Sequence, residues 1–269
     1  MQARIVSLFL YPVKACAGLP VRQLVFDGTQ RIAGDREWAI TDADGQVTWQ
    51  GAHARLALVR PGFEDGLLVL RAGGVDAARI PPGDTARACS ITVWNDATQR
   101  NETFAAHDAG PEARRFLQAV TGADLRLVRL GPEARARDSV NPVHLMAQPS
   151  LDELNQTLKL SGHTPAAMAR FRPNVVLDGD ALLPFLEDHL EALRWGDGDE
   201  LRFTQPCVRC IVPNVNPLTG AAEAEPAPTV ARLSAMRRPG APSTLGIYLR
   251  PTQAAVLEQG TTVELVLSL

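Results

Sequence analysis

Trp38-Ala39-Ile40-Thr41-Asp42-Ala43-Asp44-Gly45-Gln46-Val47-Thr48-Trp49 reads as two short strands joined by a tight loop. Aromatic and β-branched residues fill the flanks, and Asp with Gly supplies the turn. The Asp42/Asp44/Gly45 spacing is also that of a calcium loop's beginning. The rest of the twelve-residue pattern, including its final acidic ligand, is missing, so a turn is expected. The same texture extends outwards. The chain is β-patterned from Ile5, with a strand over Val21–Phe26 before Asp27-Gly28. Further strands are expected at Leu56–Arg60, Leu67–Arg71, Ser90–Trp94 and Gln99–Thr103. Many short strands with frequent turns indicate a barrel or a sandwich.

Strands give way to helices over residues 105–122. Pro111 opens a helix through Val120, with Phe116, Leu117 and Val120 on one face and a stop at Thr121-Gly122. Ser150 is read as the cap of a second helix, Glu153 completing a capping box and Leu151, Leu154 and Leu158 sharing a face. A short third helix is expected at Ala166–Arg170. Strands follow at Leu125–Leu130, Val175–Leu177, Trp195–Phe203, Leu245–Leu249 and Thr261–Leu267. The stretches 131–141, 221–227 and 237–242 read as exposed or flexible, and Pro184–Leu190 as short and acidic. The expected fold class is mainly β with peripheral helices (α+β). The family that the motifs below resemble implies an N-terminal β-barrel-like domain (residues 1–110) packed on a second β-barrel domain (residues 111–269).

The 269 residues suffice for a sizeable core. A net charge of −3 provides no basic field for nucleic acid. The first apolar run is too short for a membrane helix, and its alternation and Pro12 fit a strand rather than a signal peptide. Four cysteines make no disulfide framework in a chain this long, so a reducing cytoplasm is the expected compartment.

The chemistry centres on Gln205-Pro206-Cys207-Val208-Arg209-Cys210-Ile211-Val212-Pro213, where a strand-like run meets a loop. A cation near a thiol favours the thiolate, the form that attacks or binds metal. Three readings stay open. The pair could be small buried hydrophobes, a redox CxxC, or thiolate ligands to a soft or redox metal. The redox reading wants a helix opening at the first Cys, which Pro213 and Pro217 oppose. A zinc ribbon needs two more ligands with local spacing, and Cys16 and Cys89 are isolated. Lys14, Arg36 and Arg172 each sit on a loop or at a strand entry. Each reads either as a solvated charge or as a phosphate-holding donor. Asn174 can satisfy backbone or read a heterocycle edge. The five histidines lack metal-binding helical spacing and read as ordinary, His144 with the least support for that reading.

These motifs together resemble a known family. Tyr11-Pro12-Val13-Lys14 with Cys16 and Gly18, then Gly34-Asp35-Arg36 with Trp38, is similar to the N-terminal β-barrel domain that precedes MOSC domains. Phe171-Arg172-Pro173-Asn174-Val175-Val176, Cys207-Val208-Arg209-Cys210, Pro217-Leu218-Thr219-Gly220 and Leu245-Gly246-Ile247-Tyr248 resemble the MOSC domain itself, named for the C-terminal part of molybdenum-cofactor sulfurase. The resemblance implies that Cys210 is the thiolate ligand to molybdenum. It implies that Lys14, Arg36 and Arg172, with Asn174 in the same motif, hold the pterin and phosphate of the molybdenum cofactor. Cys207 would serve packing or support the metal site from behind the ligand. Three departures from the family's usual pattern are Ala15, Ala17 and Gln50, positions where it often has Ser, a basic residue and Arg.

The implied function is reduction of N-hydroxylated small molecules, as in the amidoxime-reducing component, with electrons from a separate ferredoxin- or flavoprotein-like partner. No iron–sulfur cysteine cluster and no pyridoxal-phosphate half are expected in this chain, and no nucleic-acid or membrane partner. The alternatives are a sulfur or cofactor carrier using the same cysteine, and a binding module that keeps the fold without metal.

Overall fold

The computed structural model describes residues 1–81, 87–95, 98–137 and 142–268. In chain order, β1 (Gln2–Leu10), β2 (Leu19–Val21), β3 (Gln23–Phe26) and β4 (Trp38–Thr41) come first. Then follow β5 (Arg60–Glu64), β6 (Leu67–Ala72), β7 (Val75–Ile80), β8 (Arg87–Asn95), β9 (Arg100–Asp108) and α1 (Pro111–Thr121). After β10 (Arg126–Leu130) come α2 (Pro132–Ala136), β11 (Val143–Ala147), α3 (Gln148–Leu160) and β12 (Val175–Asp178). The chain closes with β13 (Leu190–Trp195), β14 (Asp199–Val208), α4 (Ala227–Arg237), β15 (Thr244–Pro251), β16 (Ala255–Glu258) and β17 (Thr262–Leu267).

The mainly β fold expected from the strand pattern is present. The large sheet runs β12-β11-β15-β14-β13-β17-β1-β2, and β12 also pairs with β1. Seven strands therefore close on themselves, which removes the sheet edges. β1 alternates burial until a register shift between Ile5 and Ser7. The bulge lets Ile5 and Leu8, three residues apart, both point inward, and both are buried. With Phe26, Leu193, Leu201, Ile247 and Leu249 they form the barrel core.

A second core lies in the other half. Here β4-β10-β9-β8 and β5-β6-β7 form two small sheets under α1. Phe116, Leu117 and Val120 share the buried face of α1, as the spacing predicts, against Trp38, Ile40, Leu56 and Leu70. Each such side chain contributes about 1.5–3 kcal/mol of burial. Pro111 stands in the first turn, and Gly122 ends the helix in the left-handed conformation with φ 76°.

The two halves do not divide at residue 110. β1 belongs to the C-terminal barrel through β12 and β17, while β10, beyond the expected boundary, pairs with β4 and β9. Other expectations also shift. The strand expected at Leu56–Arg60 starts only at Arg60, after a 3₁₀ turn over Ala54–Leu58, because Leu and Ala fill that turn and the first β-branched residue is Val59. The expected strand Val21–Phe26 breaks at Arg22, its halves pairing with β1 and β16. Gln46–Trp49 makes only bridges, Gln46 to Thr92 and Val47 to Thr41. The Asp42 carboxylate accepts from the backbone amides of Asp44 (3.0 Å) and Gln46 (2.9 Å), so the loop is the expected turn.

Ser150 is not a helix cap. Pro149 sets the first turn of α3, which starts at Gln148. The Ser150 hydroxyl instead donates to Glu187 Oε2 (2.7 Å) and accepts from the Phe185 amide (2.7 Å). The expected exposed stretch 131–141 contains α2, and its residues 138–141 lie outside the described residues. α4 begins where a flexible stretch was expected to end, its first amide donating to Asn214 Oδ1 (2.7 Å). Among the described residues no helix is long and apolar enough to cross a membrane.

Candidate functional site

Where the two halves meet, β1 stops and Pro12 cannot donate to a continuing ladder. The chain instead laces onto the loop before β4. The Tyr11 amide donates to Asp35 Oδ1 (2.7 Å) and the Arg36 amide to the Tyr11 carbonyl (2.7 Å). The Trp38 amide donates to Pro12 (3.0 Å) and the Lys14 amide to Trp38 (2.8 Å). Ala15, Arg36 and Arg172 take left-handed φ values of 69°, 52° and 59°. Each costs about 1–3 kcal/mol for a residue with a Cβ, a strain that clusters at working sites.

Tyr11 is the hub of this junction. Its ring is buried, with the Arg36 guanidinium 4.9 Å and the Arg172 guanidinium 4.4 Å from the ring centre. Both cations are held by the face of one aromatic. Burial pushes the Tyr11 phenol up to about 12, with both guanidiniums pulling against that shift. A Cβ at position 18 would lie 2.7 Å from Tyr11 Cε1, so glycine there lets the ring seat.

The two cations differ in their surroundings. Arg36 is paired with the Asp35 carboxylate and donates to Asn174 Oδ1 (3.3 Å). Burial works against its charge, yet Asp35 holds its pKa above the ordinary value. Arg172 donates to the Cys16 carbonyl and, among the described residues, has no carboxylate partner. Burial therefore pushes it below the ordinary guanidinium value, Tyr11 countering. An anionic guest would relieve that cost.

Asn174 does not line the cleft. It is fully buried, its amide nitrogen donating to the Phe9 carbonyl (3.1 Å) and Asp35 Oδ1 (3.2 Å). Its oxygen accepts from Arg36 and from the His144 amide (3.2 Å). From there this side chain fixes Asp35, Arg36 and β11 relative to β1.

The cysteines separate at the end of β14. Cys207 is buried, while Cys210, beyond the last strand residue Val208, is exposed. The Arg209 guanidinium is taken up by backbone carbonyls and His144. Its Nη1 donates to the Phe171 carbonyl (3.1 Å), and its Nε and Nη2 to Leu245 (2.9 and 2.6 Å). Arg209 Nη2 also lies 2.7 Å from His144 Nε2. That nitrogen must accept, so the ring's proton is on Nδ1, which faces the Arg172 carbonyl at 3.2 Å. Burial, then Arg209, pushes His144 well below its ordinary value, and the ring is neutral. Gly246 makes the approach possible: with φ +75°, its added Cβ would sit 2.6 Å from the Leu145 carbonyl.

These segments enclose a cleft of about 270 Å³. Lys14, Arg36, Arg172 and Cys210, singled out in the sequence, all line it. Arg170, Arg209, His144, Trp49, Gln50 and Tyr248 line it too. Of these, Gln50 and Trp49 occupy the stretch where the resembled family carries a cation. Arg170 looked like the end of a helix, and no spacing signal marked His144. Five cationic side chains thus face the cleft and, among the described residues, no carboxylate lines it. Among those residues no three His, Cys, Asp or Glu side chains converge to hold a bare ion. A metal here would bring its other ligands with it.

Comparison with known families matches the MOSC domain over residues 120–264 and the MOSC N-terminal beta barrel domain over residues 2–124. Mitochondrial amidoxime reducing component 2 of Bos taurus is 27% identical over 235 residues, covering 80% of this chain and 67% of that protein. Molybdenum cofactor sulfurase of Drosophila grimshawi is 28% identical over 259 residues, covering 93% of this chain and 32% of that protein. The chain thus spans about two thirds of the first relative's length and about one third of the second's. Among solved structures, the YuaD protein of Bacillus subtilis aligns with a TM-score of 0.46 at 11% identity, covering 100% of this chain and 98% of that one.

Proposed function

The chain belongs to the MOSC domain family, and from that premise we propose that it binds a molybdenum cofactor in the cleft and reduces N-hydroxylated small molecules. The single observation that carries the reading is an exposed Cys210 on the wall of a cleft lined by five cations. That donor set fits the guest: a soft sulfur for the metal, and positive groups for a phosphate-bearing pterin. Lys14, Arg36 and Arg172 would hold the anionic parts, and Cys210 would ligate the metal. When bound, the cofactor would supply the two-electron redox chemistry.

The chain's own residues bind and orient. Arg172, half-buried without a carboxylate partner among the described residues, is the donor with most to gain from an anion. Asp35 and Asn174 hold Arg36 in its left-handed conformation. Reduction of an N–O bond consumes two electrons and two protons, the oxygen leaving as water. The electrons would come from a separate ferredoxin- or flavoprotein-like protein. The naming of the bovine relative as an amidoxime reducing component supports the substrate class.

The test is benzamidoxime reduction, with an added electron-donor system, by protein made in a cofactor-competent host. Activity in the wild type and its loss in Cys210→Ala are expected. Turnover by Cys210→Ala at the wild-type rate contradicts the reading. A second reading is a carrier that holds sulfur or cofactor on Cys210 without turnover. Similarity to the sulfurase over 93% of the chain favours it. Cyanide-releasable sulfur in a protein without reductase activity would decide for the carrier.

A further inference from the structure

Depth within the cleft is unevenly distributed. Phe171 and His144 are buried, and Lys14, Arg36 and Arg172 are half-buried. The most exposed part of the wall is different in kind: Trp49 is 43% exposed, Val208 59%, and Cys210, on the same cleft, is exposed too. An exposed aromatic lining a concave site is a surface on which the apolar part of a ligand can lie. Trp49 is also held in place. A Cβ at position 51 would lie 2.5 Å from its Cη2 and 2.6 Å from its Cζ3, so the indole rests on the bare backbone of Gly51. Its own carbonyl accepts from the Ala52 and His53 amides (3.2 and 3.0 Å), which fixes the turn beneath the ring. Gln50, the next residue, is buried and adds no charge here.

We infer that Trp49, with Val208, is the substrate-recognition wall, and that the N-hydroxylated compounds taken by this chain carry a planar aromatic group that lies on the indole. The inference rests on the reductase reading and names the substrate class of that site. The charged residues lie deeper and suit the phosphate-bearing guest. The apolar rim is what remains for the part of a substrate that projects outward from the sulfur. Aromatic stacking on a pre-set ring adds to simple area burial and loses little side-chain freedom.

The experiment compares benzamidoxime with acetamidoxime, which shares the reacting group and lacks the ring. The proteins are the cofactor-loaded wild type, Trp49→Ala, Trp49→Phe and Gly51→Ala. Equilibrium binding of benzamidoxime is measured by calorimetry alongside turnover, so the wall can be tested even if the wild type reduces nothing. Trp49→Ala should lower the benzamidoxime-over-acetamidoxime ratio of kcat/KM about tenfold, through KM rather than kcat, and weaken calorimetric binding by a similar factor. Gly51→Ala, which displaces the ring without deleting it, should shift the ratio in the same direction. Trp49→Phe should restore most of the preference.

Three outcomes overturn the inference. One is an equal loss for both substrates in every variant. Another is a loss of pterin from Trp49→Ala at unchanged fold, which would make the indole a cofactor contact. The third is a change confined to the KM for the electron donor, which would make the rim a protein-docking edge. Wild-type protein that binds benzamidoxime but reduces neither compound would refute the reductase reading while leaving the wall standing.

Discussion

At the scale of single residues, Asn174 is the side chain whose removal should do most harm for its size. Asn174→Ala leaves the Phe9 carbonyl and the His144 amide without their partner in a dry setting, and removes one bond from each of Asp35 and Arg36. Buried groups stripped of a partner cost about 1–3 kcal/mol each. Urea unfolding should therefore show a loss of about 2–4 kcal/mol, with weaker cofactor retention. A variant as stable as the wild type would mean that water replaces the amide. Gly18→Ala tests the seat of Tyr11. Its methyl would lie 2.7 Å from the ring edge, so the ring must shift and carry both guanidiniums with it. Reduced pterin content at nearly unchanged secondary structure is expected, by fluorescence and circular dichroism. Intact cofactor binding would sever the link between Tyr11 and the two arginines. Residue identities such as Lys14, Arg36, Arg172 and Cys210 were readable as candidates because charge and thiol chemistry show in the sequence. The separate duties of Asn174 and Arg209 were not, since both depend on which backbone carbonyls lie within reach after folding.

Among elements, the start of α3 carries a buried acid on the neighbouring 3₁₀ turn. Glu187 accepts from Ser150 Oγ (2.7 Å) and the Ala147 amide (3.3 Å), and burial pushes it up to about 7 from an ordinary 4.5. In the unfolded chain the acid ionises at its ordinary value. The protonated folded form is thus favoured fully below pH 4.5, and that contribution fades as pH rises toward 7. The size is on the order of 3 kcal/mol. His144 acts in the opposite sense. A base whose folded pKa is depressed costs stability as pH falls below its ordinary 6.5, because only the unfolded ring then takes a proton. The raw profile between pH 4.5 and 7 mixes the two. The difference between wild type and Glu187→Gln isolates the acid: the advantage of the wild type should shrink steadily from pH 5 to 7, by denaturant unfolding at each pH. A pH-independent difference would show that Glu187 is ionised throughout. The pattern of α1 was legible because Phe116, Leu117 and Val120 repeat at helical spacing. The start of α3 was misread at Ser150 because its hydroxyl answers to Glu187, a partner 37 residues away that no local rule reaches.

For the whole molecule, the sequence announced a β-rich chain but not how its halves share strands. The strand runs and turns carry the first fact locally. The second depends on β1, which closes the C-terminal barrel from the far end of the chain. A fragment of residues 111–269 would lack β1 and expose the edges of β12 and β17. It should show no cooperative unfolding transition and should bind hydrophobic dyes, whereas the full chain unfolds cooperatively. A fragment that melts like an independent domain would refute the shared-strand account. The same junction sets the cleft, since the segment following β1 presents Lys14 and Ala15 to the wall formed by Arg172 and Cys210. A thiol from one half thus shares the cleft with cations from both. The most direct test of this arrangement as a cofactor site is molybdenum and pterin analysis of wild type and Cys210→Ala, purified in parallel from a cofactor-competent host. Near-stoichiometric metal is expected in the wild type and a large loss in the variant, with pterin falling less because the cations remain. Equal molybdenum in the two proteins would contradict it.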